Sequence, residues 1–262
     1  MSSAPTGPRS DSVLTESLTP LRVLASLALI AAPVYIVQGR RLRRNTPRLP
    51  EAPEPRHGQI AGNDPSLKLL AIGESPLAGV GVDLADETVI ARLGEKLASI
   101  TGRVAHWSII ARGGVTAAET VDQLLPQVPE ERIDLVLIGL GVNDCLQLTP
   151  TRRWQAQLRA LIDGLTDRCQ PGLVALAGVP PMKHFPALPR PLADMLGLRA
   201  RLLDAAATEV ASSYERVVHV PMSFDGRSPE LFCHDGFHPC AHGHRVWAEQ
   251  LLQIVKPPLD SG

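Results

Sequence analysis

The sequence predicts an α/β fold, a single three-layer domain in which helices cover both faces of a five-stranded parallel sheet. Runs of nearly continuous apolar residues have the length of strands that are buried on both faces. These runs are residues 67–72, 104–110, 133–140, 173–177 and 217–220. Segments with helical periodicity alternate with them, as in parallel sheets. These segments are residues 84–100, 116–125, 151–167, 191–212 and 242–255.

The composition argues against a nucleic-acid-binding protein and against a disulfide framework or zinc ribbon. The formal net charge is −1, and aromatic residues make up 3% of the 262 residues, too few for a base-stacking platform. Four cysteines are spread along the chain without a CxxC pair. We therefore expect no nucleic-acid partner and reduced thiols, although Cys233 and Cys240 could pair in an oxidising compartment.

The amino-terminal quarter of the chain differs in character from the rest. Residues 1–20 form a polar tail, residues 21–38 are expected to form a transmembrane anchor, and residues 39–66 read as a basic, Pro-rich linker. The apolar segment is at the short end of what crosses a bilayer, and Pro33 weakens it further. The folded domain is expected over residues 67–258.

Charge around this segment predicts its orientation. The arginine-rich sequence GRRLRR directly follows the apolar residues, and cytoplasmic flanks carry the excess of Lys and Arg. We therefore expect a membrane-anchored protein with its domain in the cytoplasm. Export to the periplasm, and a helix that lies at the membrane interface or is buried in the protein, remain alternatives.

Polar residues and glycines follow four of the predicted strands. Ser75 in GESPL follows the first strand, Gly114 follows the second, and Asn143 in GVND follows the third. Asp235 and His238 in DGFHP follow the fifth. Because sites in parallel sheets lie at the carboxyl ends of strands, we expect these residues to meet at one edge of the sheet.

These residue types are those that serine-dependent acyl transfer requires. A serine hydroxyl is a weak nucleophile until a base takes its proton, and imidazole, with a free pKa of about 6.5, suits that role. His238 is the candidate base for Ser75, and Asp235 is the candidate carboxylate that orients it. The candidate oxyanion hole consists of the backbone amides of Ser75 and Gly114 and the side-chain amide of Asn143.

The same blocks resemble those of the SGNH (GDSL-type) hydrolase family over residues 67–255. GES followed by PLAG resembles the family's nucleophile block, and Gly114, GVND and DGFH resemble its three later blocks. The resemblance implies a flavodoxin-like three-layer fold and esterase or lipase activity without a cofactor. One position departs from the family, because Glu74 stands where an Asp is usual. That acid takes no part in proton transfer in the family scheme, so the change affects loop geometry more than chemistry.

Other enzyme classes fit less well. Seven possible zinc ligands lie between residues 233 and 244, but Gly236 and Pro239 disfavour the helix that would place His234 and His238 on one face. Leu77 stands where the second glycine of a G-x-S-x-G motif belongs. The chain also has no phosphate-binding or dinucleotide-binding loop. We therefore expect neither a metal nor a cofactor.

The substrate is expected to be a carboxylic ester or thioester with a short to medium acyl chain. A lysophospholipid fits a domain tethered beside a bilayer, and either water or an alcohol would accept the acyl group. The Pro-rich, apolar residues 179–196, with Met182 and Phe185, are expected either to line an acyl pocket or to serve as a packing loop. The alternative to an esterase is a membrane-tethered, non-catalytic module that binds an acylated ligand on the same scaffold.

Overall fold

The computed structural model describes residues 33–42, 44, 46–222 and 228–260. It divides into two compact units, residues 1–45 and 46–262. In the first unit residues 33–42 are helical, with Val34, Ile36 and Val37 exposed. Most of the predicted transmembrane anchor, residues 21–32, lies outside the described residues. Among the residues that are described, no helix combines the length and the hydropathy that a membrane span requires.

The second unit is built on a sheet of six strands rather than the predicted five. They are β1 (His57–Ile60), β2 (Asn63–Gly73), β3 (Arg103–Ala111), β4 (Leu135–Gly139), β5 (Leu173–Ala177) and β6 (Val217–Val220). Their order across the sheet is β1-β3-β2-β4-β5-β6. The five strands from β2 to β6 are parallel, as predicted, whereas β1 pairs antiparallel with β3.

The additional strand, β1, lies inside the segment 39–66 that the sequence analysis assigns to a linker. Its four residues, HGQI, alternate between exposed and half-buried, and it pairs only with β3 at the edge of the sheet. Every residue of β4 and β5, by contrast, is buried. A short edge strand with one strongly apolar residue lacks the continuous apolar run by which the central strands are recognised, so the prediction missed it.

Helices flank both faces of the sheet. They are α1 (Val89–Thr101), α2 (Ala117–Glu119), α3 (Val142–Leu146), α4 (Thr151–Cys169), α5 (Leu192–Ala211) and α6 (Ala241–Asp260). Helices α1 and α6 share one core cluster with inward-facing sheet residues such as Leu69 and Leu135. Helices α4 and α5 pack against each other, and the buried Trp154 of α4 donates a hydrogen bond to the carbonyl of Leu203 in α5 at 3.0 Å.

The register of the central strands positions the loops that matter for function. Gly73 at the end of β2 lies opposite Ala111 at the end of β3 and Gly139 at the end of β4. Three parallel strands therefore end side by side. Because each loop leaves the sheet at the same level, the segments that follow Gly73, Ala111 and Gly139 must share one edge.

Candidate active site

The turn that carries Ser75 requires a glycine at the end of β2. Gly73 has φ +151°, and a Cβ added there would lie 2.0 Å from the carbonyl oxygen of Gly139 on the neighbouring strand. Only glycine permits this close approach of two backbones. The chain then closes into a turn, in which the amide of Val80 donates to the carbonyl of Ser75 at 3.0 Å. Ser75 is thereby held immediately above the end of β2.

Asp235 and His238 are held by a short hairpin. Phe232 and Pro239 form an antiparallel bridge, and the amide of Cys233 donates to the carbonyl of His238 at 2.8 Å. Inside the loop, Oδ1 of Asp235 accepts hydrogen bonds from the amides of Phe237 (2.9 Å) and His238 (3.0 Å). Aspartate commonly closes turns in this way. The carboxylate therefore fixes the backbone that carries the imidazole.

Ser75, His238 and Asp235 form a continuous hydrogen-bonded chain. Nε2 of His238 lies 3.0 Å from Oγ of Ser75, and Nδ1 lies 2.6 Å from Oδ2 of Asp235. Burial raises the pKa of Asp235, but hydrogen bonds from the His238 ring and from the amides of His238 and Phe237 outweigh it, so the pKa lies below its ordinary value. The carboxylate is therefore ionised at neutral pH and accepts the Nδ1 proton of the imidazole.

The glycine loop after β3 lies beside Ser75. A Cβ added to Gly113 would lie 3.8 Å from the Cβ of Ser75 and 3.2 Å from Oε1 of Glu51. Gly114 has φ +84°, and nothing lies within 4 Å of the position that its Cβ would occupy. The structure thus places the loop that carries Gly114 beside Ser75, with Gly114 itself in a left-handed conformation that favours glycine.

Asn143 reaches the same edge, but its side chain is engaged. Its Nδ2 donates to Oε2 of Glu74 at 2.6 Å and to the carbonyl of Val115 at 3.1 Å. An amide nitrogen carries two hydrogens, so both are used in this arrangement. Donation to an oxyanion requires that one of these two bonds be exchanged.

A mostly apolar pocket opens at Ser75 and His238, on the side of β4, β5 and the hairpin. Phe185 lines it, with its ring centroid 5.4 Å from that of Phe232 and 5.2 Å from that of Phe237, both edge-on. Met182, the other residue named for an acyl pocket, is fully buried and does not line it. Other apolar residues of the lining include Leu140, Val142, Ala177, Pro180, Met222 and Trp247.

Side chains that could ligate a metal have other partners. Cys233 Sγ donates to the carbonyl of Gly81 at 3.1 Å, and Cys240 Sγ donates to that of Glu230 at 3.2 Å. Both are free thiols. Within the part of the chain that the structure describes, no group of three or more His, Cys, Asp or Glu side chains is placed to hold a metal ion.

Comparison with known proteins identifies the family. The model of the GDSL-like lipase/acylhydrolase family matches residues 71–246, about two thirds of the chain. The chain belongs to this family. It is a GDSL-type esterase, which confirms the predicted enzyme class. No curated protein matches the sequence.

Solved structures of an esterase, a lipase/acylhydrolase and a lipase share the fold at low sequence identity. The psychrotrophic esterase EstA from Pseudoalteromonas sp. is 20% identical, covering 75% of this chain and 100% of its own, with a TM-score of 0.55. The lipase/acylhydrolase from Enterococcus faecalis is 18% identical, covering 73% and 96%, with a TM-score of 0.55. The extracellular lipase from Streptomyces rimosus is 19% identical, covering 71% and 99%, with a TM-score of 0.54. At this identity the likeness shows the fold alone.

Glu74, where this GDSL-type esterase departs from the family's usual Asp, joins two loops of the site. The side chain is buried, and its carboxylate accepts hydrogen bonds from the amide of Val142 (2.9 Å) and from the amide (3.0 Å) and Nδ2 of Asn143. Burial raises the pKa of Glu74 to about 7, although the two backbone hydrogen bonds lower it. Glu74 therefore joins the loop that carries Ser75 to the loop that carries Asn143.

Sequence reasoning missed two further side chains of the esterase site. Asp144 is buried, and its Oδ2 accepts from the amide of Ala117 at 3.0 Å, at the start of the helix after the glycine loop. Glu51 accepts from the amide of Gly113 at 2.6 Å. Asp144 belongs to the GVND block, so the sequence locates it at the site but gives no sign of its hydrogen bond with the Ala117 amide. Glu51 carries no local signal, because it lies in a Pro-rich segment 62 residues from its partner.

Proposed function

We propose that this esterase is a serine acyl-hydrolase that cleaves a carboxylic ester or thioester through an acyl-enzyme on Ser75. The observation that carries the proposal is the chain of contacts from Asp235 through His238 to Oγ of Ser75, at 2.6 and 3.0 Å. A nucleophile in hydrogen-bond contact with a base, itself oriented by a third group, is the arrangement that activates a serine.

In the proposed reaction, Nε2 of His238 takes the hydroxyl proton as Oγ of Ser75 attacks the carbonyl carbon. Asp235 holds the proton on Nδ1 and stabilises the imidazolium that forms. When the tetrahedral intermediate collapses, His238 gives the proton to the leaving alkoxide or thiolate. A water molecule, activated by the same imidazole, then releases the acid from Ser75.

The negative charge that develops on the carbonyl oxygen needs preorganised donors. We place the backbone amides of Ser75 and Gly114 in this role, together with the side-chain amide of Asn143. The bond from Asn143 to Val115, at 3.1 Å, is the longer of its two, so it is the one that the oxyanion would replace. Glu74 would keep hold of the other amide hydrogen and so maintain the orientation of Asn143.

The apolar pocket supports an acyl chain as the group that occupies it. Its lining next to Ser75 consists mainly of aliphatic and phenyl side chains, which stabilise a hydrocarbon chain by removing it from water. Phe185, Phe232 and Phe237 form its aromatic wall. We therefore propose a short to medium acyl chain on the substrate.

The proposal is tested by turnover of p-nitrophenyl esters, from acetate to laurate, with the full-length chain. Ser75→Ala should lose on the order of a millionfold in kcat, as removal of a triad nucleophile does elsewhere. Ser212→Ala is a suitable control, because the Ser212 hydroxyl bonds within the end of α5. Turnover that persists in Ser75→Ala would exclude this mechanism, and binding of acyl ligands without turnover in the wild type would support the non-catalytic module.

A further inference from the structure

Residues 51–56, which we call the strap, pack across two loops of the site. The amide of Ala52 donates to the carbonyl of Ala78 in the nucleophile loop at 3.0 Å. Ala52 is buried, and its Cβ lies 2.4 Å from where a Cβ on Gly79 would be. Nη1 of Arg56 donates to the carbonyl of Ala111, at the end of β3, at 3.3 Å. The strap is therefore a packed part of the domain rather than a passing linker.

Glu51, at the start of the strap, reaches the glycine loop. Its Oε1 accepts the amide hydrogen of Gly113 at 2.6 Å, and its Oε2 pairs with Nη2 of Arg56 at 2.9 Å. Arg56 is held in turn, because its Nε donates to the carbonyl of Ala52 at 3.0 Å. Both carboxylate oxygens of Glu51 are thus bonded, one to the Gly113 amide and the other to Arg56.

The backbone conformation of Gly113 and Gly114 must be fixed by contacts from outside their loop, such as the hydrogen bond from the Gly113 amide to Glu51. Neither residue has a Cβ, so the backbone has wide conformational freedom that neighbouring contacts must restrict. The amide of Gly113 precedes that of Gly114 by one residue. Fixing the first amide leaves only φ and ψ of Gly113 between it and the second amide, which is the donor placed in the oxyanion hole, and so removes part of this freedom.

We propose that Glu51 is a positioning residue for the oxyanion hole, acting through its hydrogen bond to Gly113. The inference rests on the proposed acyl-hydrolase function. Arg56 neutralises the carboxylate at short range, so Glu51 acts by holding the loop rather than by placing a net charge near Ser75. Through Glu51, a segment that sequence reasoning assigns to a linker therefore helps to position the proposed oxyanion hole.

The experiment compares kcat and KM of full-length variants on p-nitrophenyl butyrate. Glu51→Ala removes the acceptor and should lower kcat roughly 10- to 100-fold, the scale of a small misplacement of a catalytic group. KM should stay within about twofold, because neither Glu51 nor the Gly113-Gly114 pair lines the acyl pocket. Glu51→Gln keeps an oxygen at the same reach and should retain most of kcat. Glu51→Asp keeps the charge but withdraws it by one methylene, so it should resemble Glu51→Ala.

Glu54→Ala is the matched control. Glu54 lies in the same strap and also pairs with Arg56, at 3.4 Å, but its side chain is 75% exposed. It should leave kcat unchanged. Equal kcat in Glu51→Ala and Glu54→Ala would overturn the inference, as would full activity in Glu51→Asp with loss in Glu51→Gln.

The outcomes separate this inference from the proposed function. If Glu51→Ala does not fold, the comparison of Glu51→Gln with Glu51→Asp still shows whether kcat depends on the position of the acceptor oxygen or on the negative charge of residue 51. If the wild type is active, Ser75→Ala is inactive and all Glu51 variants have wild-type kcat, only the inference about Glu51 is wrong. A wild type without turnover removes both.

Discussion

At the scale of single residues, Glu74 combines an unusual position with an unusual ionisation. It is buried between the loops that carry Ser75 and Asn143, and burial raises its pKa from 4.5 to about 7. Between these pH values the unfolded chain has lost the proton that the folded protein keeps. Stability that depends on Glu74 is therefore fully present below pH 4.5 and is lost as pH rises through 7.

Glu74→Gln should remove this dependence. Urea unfolding at pH 5 and pH 8 should show wild type losing up to about 3 kcal/mol more than Glu74→Gln over the interval, the scale of a shift of this size. The difference between the two proteins, rather than the absolute stability of either, is the readout, because glutamine also changes the hydrogen bonds to Val142 and Asn143. Parallel pH profiles for both proteins would contradict the account.

Phe185 is the residue that most directly tests the acyl pocket. It lines the pocket beside Phe232 and Phe237, so Phe185→Ala should enlarge the space for the acyl chain. We expect the optimum in the p-nitrophenyl ester series to move to longer chains, with a change of about 1 to 3 kcal/mol in relative transition-state binding. Kinetics across the series measures it. Chain-length preference that matches wild type would show that the pocket does not hold the acyl group.

At the scale of elements, α1 and α6 are joined by a buried histidine. Nδ1 of His244 in α6 accepts the amide hydrogen of Val89, the first residue of α1, at 3.1 Å. Thr88, which precedes Val89, makes no side-chain cap, so His244 satisfies one of the unpaired donors at the helix start. Burial lowers the pKa of His244 from 6.5 to about 3, with a smaller contribution from His238.

This histidine should make the domain sensitive to acid. Below pH 6.5 the unfolded chain binds a proton that the folded protein excludes, so stability falls as pH decreases towards 3. His244→Gln keeps an acceptor for Val89 and should lose less stability between pH 7.5 and pH 5 than wild type. Urea midpoints at the two pH values measure the effect, with His57→Gln on β1 as the control. An equal loss in wild type and His244→Gln would rule out this role.

At the scale of the whole molecule, the folded domain begins earlier in the chain than the sequence predicts. The prediction begins the domain at residue 67, whereas β1 and the strap lie before that point and contact β3 and both loops of the site. A chain that begins at residue 67 should therefore be less stable and less active than one that begins at residue 46. Thermal unfolding and p-nitrophenyl butyrate turnover compare the two. Equal Tm and kcat would show that the segment is dispensable.

The parts of the fold and site that sequence could predict are those with a local signal. The strands β4 and β5 are buried along their whole length, so they appear as continuous apolar runs. Ser75, Asn143 and His238 stand in short blocks after such runs. Glu51 and β1 have no such signal, because their roles come from contacts with β3 and the glycine loop that only the folded chain creates. The orientation of the expected membrane anchor stays a prediction, since residues 21–32 are not described.

The site also shows how one position alters the role of its neighbours. Matching with the family assigns the side-chain amide of Asn143 to the oxyanion hole, but Glu74 and Val115 accept both of its hydrogens in the structure. That competition depends on where the Glu74 carboxylate reaches in three dimensions. A motif records which groups are present, whereas their hydrogen-bond partners depend on the packed loops.

The proposed mechanism requires that Oγ of Ser75 form a covalent bond to the acyl carbon of the substrate, or to the phosphorus of a phosphonate that mimics it. The most direct measurement is peptide mass spectrometry of the full-length protein after reaction with a p-nitrophenyl ethylphosphonate. We expect one phosphonyl group on the peptide that contains Ser75, loss of esterase activity in step with its formation, and no adduct in Ser75→Ala. An adduct on another residue, such as Cys233, with activity lost in parallel, would contradict it.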